Sequence, residues 1–224
     1  MSWTERAADR SPLVQQWRSR NARQIEIMVE AAKRLILQKG AGFTTQELAR
    51  EAGVALQTFY RHFGSKDQLL LATLEDLHIT MAERYAQSAR DLPDPLARLH
   101  YYITTTLALV DGTATVPGGP QSITAEHWRL HQLFPEEMTL AAKPMVDLYA
   151  RELRAAKEQG LISPSDVDQS AELMVMLVRA VYHHYAFLPQ SQPTDIAEHV
   201  WELCLQGIGG LQGIGGRLSE KDNT

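Results

Sequence analysis

The sequence predicts an all-α fold of about nine helices, divided between a small N-terminal domain and a larger helical bundle. Three observations carry that expectation. Apolar residues recur at intervals of three and four through almost the whole chain, the period of a helix with one buried face. The runs stop at Gly and Pro clusters, which end helices. No stretch alternates at period two with β-branched residues, so no sheet is expected.

In chain order, residues 1–20 read as a basic arm whose Arg6, Arg10, Arg18 and Arg20 either track DNA or stay flexible. Ile25, Val29, Ala32 and Ile36 mark the buried face of the first helix, which Gly40 and Gly42 end. After two short helices in the Thr44–Leu70 stretch, Leu70, Leu74, Leu77 and Met81 line a longer one, stopped before Pro93 and Pro95. Leu96, Leu99, Ile103 and Leu107 line the next, closed by the loop DGTATVPGGP. Helices over 121–133 and 136–159 follow, the second with Pro144 inside it, where a missing N–H predicts a bend. GLISPSD is a turn with Ser165 as the expected N-cap.

Helices over about 166–187 and 194–206 complete the bundle, and each shows two apolar faces. That is more than one thin domain needs, and it predicts a homodimer built on these last two helices. The run GIGGLQGIGG, Gly207–Gly216, is no nucleotide cradle: Gln212 stands where the third glycine belongs, and no strand precedes it. It reads as a helix end followed by a flexible tail over 211–224.

Hydrophobic residues make up 44% and charged residues 22%, ordinary values for a globular chain. No apolar run approaches the ~20 residues of a membrane span, so no membrane partner is expected. The single cysteine, Cys204, forms no internal disulfide and fits a reducing cytoplasm. The net charge of −5 divides unevenly. Residues 1–72 hold 11 Lys and Arg against 7 Asp and Glu, while the remainder holds 11 against 20. An anionic partner for the first part alone follows from that split.

The stretch TTQELAREAGVALQTFYRHFGSKDQLL, Thr44–Leu70, is the most informative. Thr44 and Glu47 have capping-box spacing ahead of Leu48 and Ala49. Gly53 permits the left-handed backbone of a sharp turn. From about Leu56 a second short helix starts, with Phe59 and Phe63 four apart as its buried side. Two short helices crossed about such a turn make a helix-turn-helix, whose second helix enters the major groove. Arg61 then suits guanine and Gln57 suits adenine, while Tyr60 and His62 suit phosphate oxygens. Lys66 opens the next helix, where its charge and the exposed N–H groups favour an anion.

These residues resemble the DNA-binding segment of the tetracycline-repressor (TetR) family of bacterial transcription regulators. The resemblance rests on Thr45, Leu48, Ala49, Gly53, Val54, Thr58, Tyr60, Phe63, Lys66 and Leu69, and extends back through Ile25, Ala31, Ala32 and Gly40. It covers roughly residues 20–72. It implies a three-helix DNA-binding domain over 21–68 and a ligand-binding and dimerisation domain over 69–210. It also implies a homodimer on a palindromic operator, most simply a repressor. Carried over by position, Thr45, Tyr60, His62 and Lys66 contact phosphates, and Gln46, Leu56, Gln57, Thr58 and Arg61 face bases. GAGFTT carries one residue more than the commonest spacing in that family.

For the regulatory domain, an apolar or amphipathic small effector is expected. Candidate wall residues are Tyr102, Trp128, Leu130, Phe134, Met138, Met145, Tyr149, Met174, Met176, Tyr182 and Phe187. His131 is a candidate hydrogen-bonding contact. His127 and His131 stand four apart, the spacing of paired metal ligands, and the adjacent His183 and His184 point different ways. No third ligand is evident, so neither a metal nor another cofactor is expected. A metal-dependent enzyme using His127 and His131 is the alternative, and the chain shows no nucleophile or phosphate-loop motif that would support it. An architectural DNA-coating protein would need a broad basic surface, which the acidic body does not provide.

Overall fold

The structure is a computed structural model that describes residues 12–110, 119–188 and 195–209. Among them are nine α-helices and no strand. They are α1 (Pro12–Lys39), α2 (Thr45–Ala52), α3 (Leu56–His62), α4 (Lys66–Ser88), α5 (Pro95–Ala108), α6 (Gly119–Leu133), α7 (Pro135–Glu158), α8 (Val167–Phe187) and α9 (Ile196–Gly207). A 3₁₀ turn, Gly40–Gly42, follows α1. The chain divides into two compact units, one ending at Leu74 and the other beginning at Glu75.

In the first unit α1 packs on α2 and the 3₁₀ turn, and α2 packs on α3. Met28, Ala31, Ala32, Leu35 and Ile36 are buried on α1, and Phe43, Leu48, Phe59, Phe63, Leu69 and Leu70 are buried in the same unit. Ile25 is exposed, contrary to the expected stripe, whereas Met28, one turn further on, is fully buried. The segment expected as an arm overlaps the first helix. Residues from Pro12 onward already belong to α1, whose sequence there has helix-forming residues after a proline suited to a first turn. Arg6 and Arg10 lie outside the described residues.

In the second unit α5, α7 and α8 pack on one another, α9 lies on α5, and α6 covers α7 and α8. Leu99, Tyr102, Ile103, Leu107, Leu153 and Ala171 are at its centre. Beside it Glu152, itself buried, takes Arg98 Nε at 2.7 Å and Arg151 Nη2 at 2.8 Å. Asp166, not Ser165, caps α8: its carboxylate accepts the Gln169 N–H at 3.0 Å, one residue later than expected. The last helix ends at Gly207, with Ile208 buried and Gly209 at φ 73. The expected loop over 111–118 and the tail over 211–224 lie outside the described residues. No helix is long and apolar enough to cross a membrane among the described residues.

Candidate nucleic-acid interface

Three local features make the corner between α2 and α3. Thr44 Oγ1 accepts the Glu47 N–H at 3.1 Å, while Glu47 Oε2 accepts the Thr44 N–H at 2.8 Å. This reciprocal box satisfies two donors that a helix start otherwise leaves open. The Lys39 ammonium, 2.5 Å from Glu47 Oε1, and the Thr44 bonds together hold the Glu47 carboxyl down at about 2. Gly53 then ends α2 at φ 66, a conformation that strains a side chain bearing Cβ. The Val54 N–H returns to the Ala49 carbonyl at 2.9 Å.

Phe59 anchors α3 from behind. It is fully buried, stacked on Phe63 at 6.0 Å and edge-on to Tyr60 at 4.9 Å. That anchoring turns Gln57, Tyr60 and Arg61 outward, with Tyr60 54% exposed. Arg61 makes no hydrogen bond among the described residues. Leu56 and Thr58 are half-buried at the edges of the same helix. On α2, Gln46 is exposed and Thr45 half-buried, its hydroxyl 3.5 Å from that of Tyr60.

His62 and Lys66 are half-buried too, and both are bonded within the unit. His62 Nε2–H donates to Gln24 Oε1 at 2.9 Å. The Lys66 ammonium donates to the Ala41 carbonyl and lies 4.5 Å from the centre of the Phe43 ring. Its charge is thus held over the 3₁₀ turn that follows α1. The sequence reading overlooked Asn21 and Gln24 and placed Arg20 in a loose arm. With Arg61 and His62, these three line an open cleft of about 470 Å³. Their spacing along α1 was the available signal, hidden because no apolar period marks that end of the helix.

Residues 28–73, which include the whole corner, match the family described as bacterial regulatory proteins, tetR family. That stretch is a tetR-family segment. The chain is 32% identical over 85 residues to the HTH-type transcriptional regulator HbdR of Aromatoleum sp. (strain CIB), 38% of this chain and 37% of that protein. It is 23% identical over 195 residues to the nucleoid occlusion factor SlmA of Marinomonas sp. (strain MWYL1), covering 84% and 96% of the two chains. The crystal structure of RolR in complex with resorcinol shares the fold at a TM-score of 0.67 and 16% identity, over 92% of this chain and 97% of that one.

In the second unit, the residues expected to meet an effector occupy different surroundings. Tyr102, Met145, Tyr149 and Met174 are packed in the core, with Tyr102 5.9 Å from Tyr85 and 5.8 Å from Tyr149. Met138 and Leu130 are buried, Phe134 and Tyr182 half-buried, and Met176 and Phe187 exposed. Trp128 is 58% exposed, its ring 5.8 Å from that of His183. His127 stacks on His131 at 6.0 Å and meets His183 edge-on at 4.9 Å. His184 points outward, as its neighbour's burial requires. No group of three or more His, Cys, Asp or Glu is arranged to hold a metal among the described residues.

Burial first, and then the nearby Arg179 charge, lower His127 to about 3 and His183 to about 4. Both rings are therefore neutral in the folded protein at neutral pH, whereas the unfolded chain protonates them near 6.5. Between those limits the unfolded state binds more protons, so stability is complete above about pH 6.5 and declines as the pH falls toward 4. Urea unfolding followed from pH 7 to pH 4 is expected to show this decline. His127→Phe should flatten the pH slope by about one proton, and an unchanged slope would place the ring in solvent.

Proposed function

We propose that this regulator binds a palindromic operator as a homodimer, represses transcription there, and is released by a small molecule held in its helical body. The observation that carries the reading is the two-sided character of α3: Phe59 fully buried behind, Gln57, Tyr60 and Arg61 turned outward in front. Arg61 and Gln57 read base edges, with Gln46, Leu56 and Thr58 beside them. Thr45, Tyr60, His62 and Lys66 hold the phosphates, and Arg20 extends that row along α1.

Dimerisation through α8 and α9 is supported by their outer surfaces. Leu173, Met176 and Phe187 on α8 and Leu203 on α9 are large apolar side chains left exposed in the single chain. A homodimer carries two copies of α3, and half-sites one turn apart on a duplex lie ~34–36 Å from centre to centre. An effector that prefers one arrangement of the pair shifts the balance between bound and released states. The resorcinol held by the similarly folded RolR supports a small-molecule effector for this body.

Selection of bound DNA from a random pool by the full-length chain is the direct test, with an inverted repeat as the expected product. A direct repeat, or no enriched sequence, overturns the reading. Arg61→Ala is expected to relax preference at one position of each half-site, costing about 1–3 kcal/mol against the selected operator. Competition binding against operators altered one position at a time measures that loss. A uniform loss at every position would instead make Arg61 a phosphate contact.

A further inference from the structure

We propose that the effector is a small organic acid whose carboxylate docks on Arg179 and on the α6 face formed by Thr124, His127 and His131. The inference rests on the regulator reading above and names the chemistry of its ligand. Gln121, Thr124, His127 and His131 recur at three- and four-residue intervals and so share one side of α6. Five of their side-chain atoms are buried without a hydrogen-bond partner among the described residues: Gln121 Oε1, Thr124 Oγ1, both ring nitrogens of His127 and His131 Nδ1. Thr124 is fully buried and His127 is 6% exposed. Buried polar groups in folded proteins are paired, and leaving one unpaired is costly.

Arg179 gives the cluster its sign. It is on α8, half-buried, and among the described residues it has neither a carboxylate nor a hydrogen-bond acceptor. Burial alone lowers its pKa, with no anion opposing that effect. It stands four residues before His183 on α8, and the His183 ring meets that of His127 at 4.9 Å where α8 packs on α6, so Arg179 lies on the side of α8 that faces the cluster. The His78 ring is already committed, donating from Nδ1 to the Ala141 carbonyl at 2.9 Å. Because His127 and His183 are neutral, Arg179 is the source of positive charge at the cluster. One desolvated guanidinium beside neutral N–H and O–H donors matches one carboxylate. The Gln121 oxygen accepts rather than donates, and it suits a hydroxyl elsewhere on the ligand. The His183, Trp128 and Tyr182 rings beside the cluster suit a flat apolar body.

The test uses the full-length chain and matched probes in ligand-observed NMR: benzoate with benzamide, 4-hydroxybenzoate with 4-hydroxybenzamide, and octanoate with octanamide. The acids are expected to bind at least tenfold more tightly than their amides, and 4-hydroxybenzoate more tightly than benzoate. Arg179→Gln should remove the acid preference while amide binding is unchanged, its folding checked by circular dichroism. Should that variant not fold, histidine ring signals in the parent protein decide, and 4-hydroxybenzoate is expected to shift those of His127 and His131. Equal binding of acids and amides, no binding by any acid, a preference that survives Arg179→Gln, or unmoved histidine signals overturns the proposal. Operator affinity is read separately. Acid binding that leaves it unchanged overturns the release step alone, and the site stands.

Discussion

Phe59→Ala is expected to abolish operator binding by unfolding the first unit. The ring is fully buried, contacts Phe63 and Tyr60, and sits on a helix of only seven residues that has little stability of its own. Removing a buried phenyl group costs about 3–5 kcal/mol, the lost transfer energy plus the cavity left behind. A loss of that size rivals the whole stability of a unit this small. Circular dichroism should show an early melting transition for the first unit, and binding should fall for operator and scrambled DNA alike. Phe59→Leu, which keeps most of the volume, is expected to retain folding and binding. If Phe59→Ala binds operator as the parent does, α3 is not held by this ring.

Glu152→Ala is expected to be the most damaging single change among the charged residues of the body. Its carboxylate accepts from Arg98, from Arg151 and, at 3.4 Å, from the buried Tyr102 hydroxyl. Alanine strands Arg98, whose side chain is 22% exposed, along with a phenol in the core. Breaking a buried pair by removing one partner is far worse than never having had it. Because Arg98 retains some water and also reaches the Leu92 carbonyl, about 2–3 kcal/mol is expected rather than the full value. For a chain of this length that is a fall in Tm of about 5–10 °C, measurable by calorimetry. A fall under about 2 °C would show that Arg98 and Tyr102 find new partners.

The helix-turn-helix was legible in the sequence because its signals are local. Thr44 and Glu47 are three residues apart, Gly53 marks its own turn, and Phe59 and Phe63 are one helical turn apart. Each specifies backbone geometry before any distant packing is known. The helical end of α1 was not legible, since its sequence between Arg18 and Gln24 is polar apart from one alanine and sets no apolar period. Ile25 misled for a related reason: an isolated isoleucine in register with a stripe is still exposed if nothing covers that end.

The body was less readable than the corner. Tyr102, Tyr149, Met145 and Met174 have the composition of a ligand cavity, but composition is the same for a cavity wall and for a packed core. Only their ring contacts distinguish the two. Gln121, Thr124 and Arg179 drew no notice because polar residues in a helical pattern ordinarily face water. Their burial depends on α8 covering α6, and that is decided by residues about 50 positions apart. The partners of Glu152 were hidden likewise, with Arg98 54 positions away in the chain.

The Thr45 and Tyr60 hydroxyls face each other from separate helices, 3.5 Å apart and open to solvent. That spacing is too wide for a strong mutual bond and suits an oxygen atom lodged between them. If a duplex binds at α3 as proposed, the two groups are in place beforehand, and little rotational freedom remains to be surrendered on contact. A backbone oxygen seated there would tie the first and second helices of the motif to one point on the strand, fixing their angle as well as their grip.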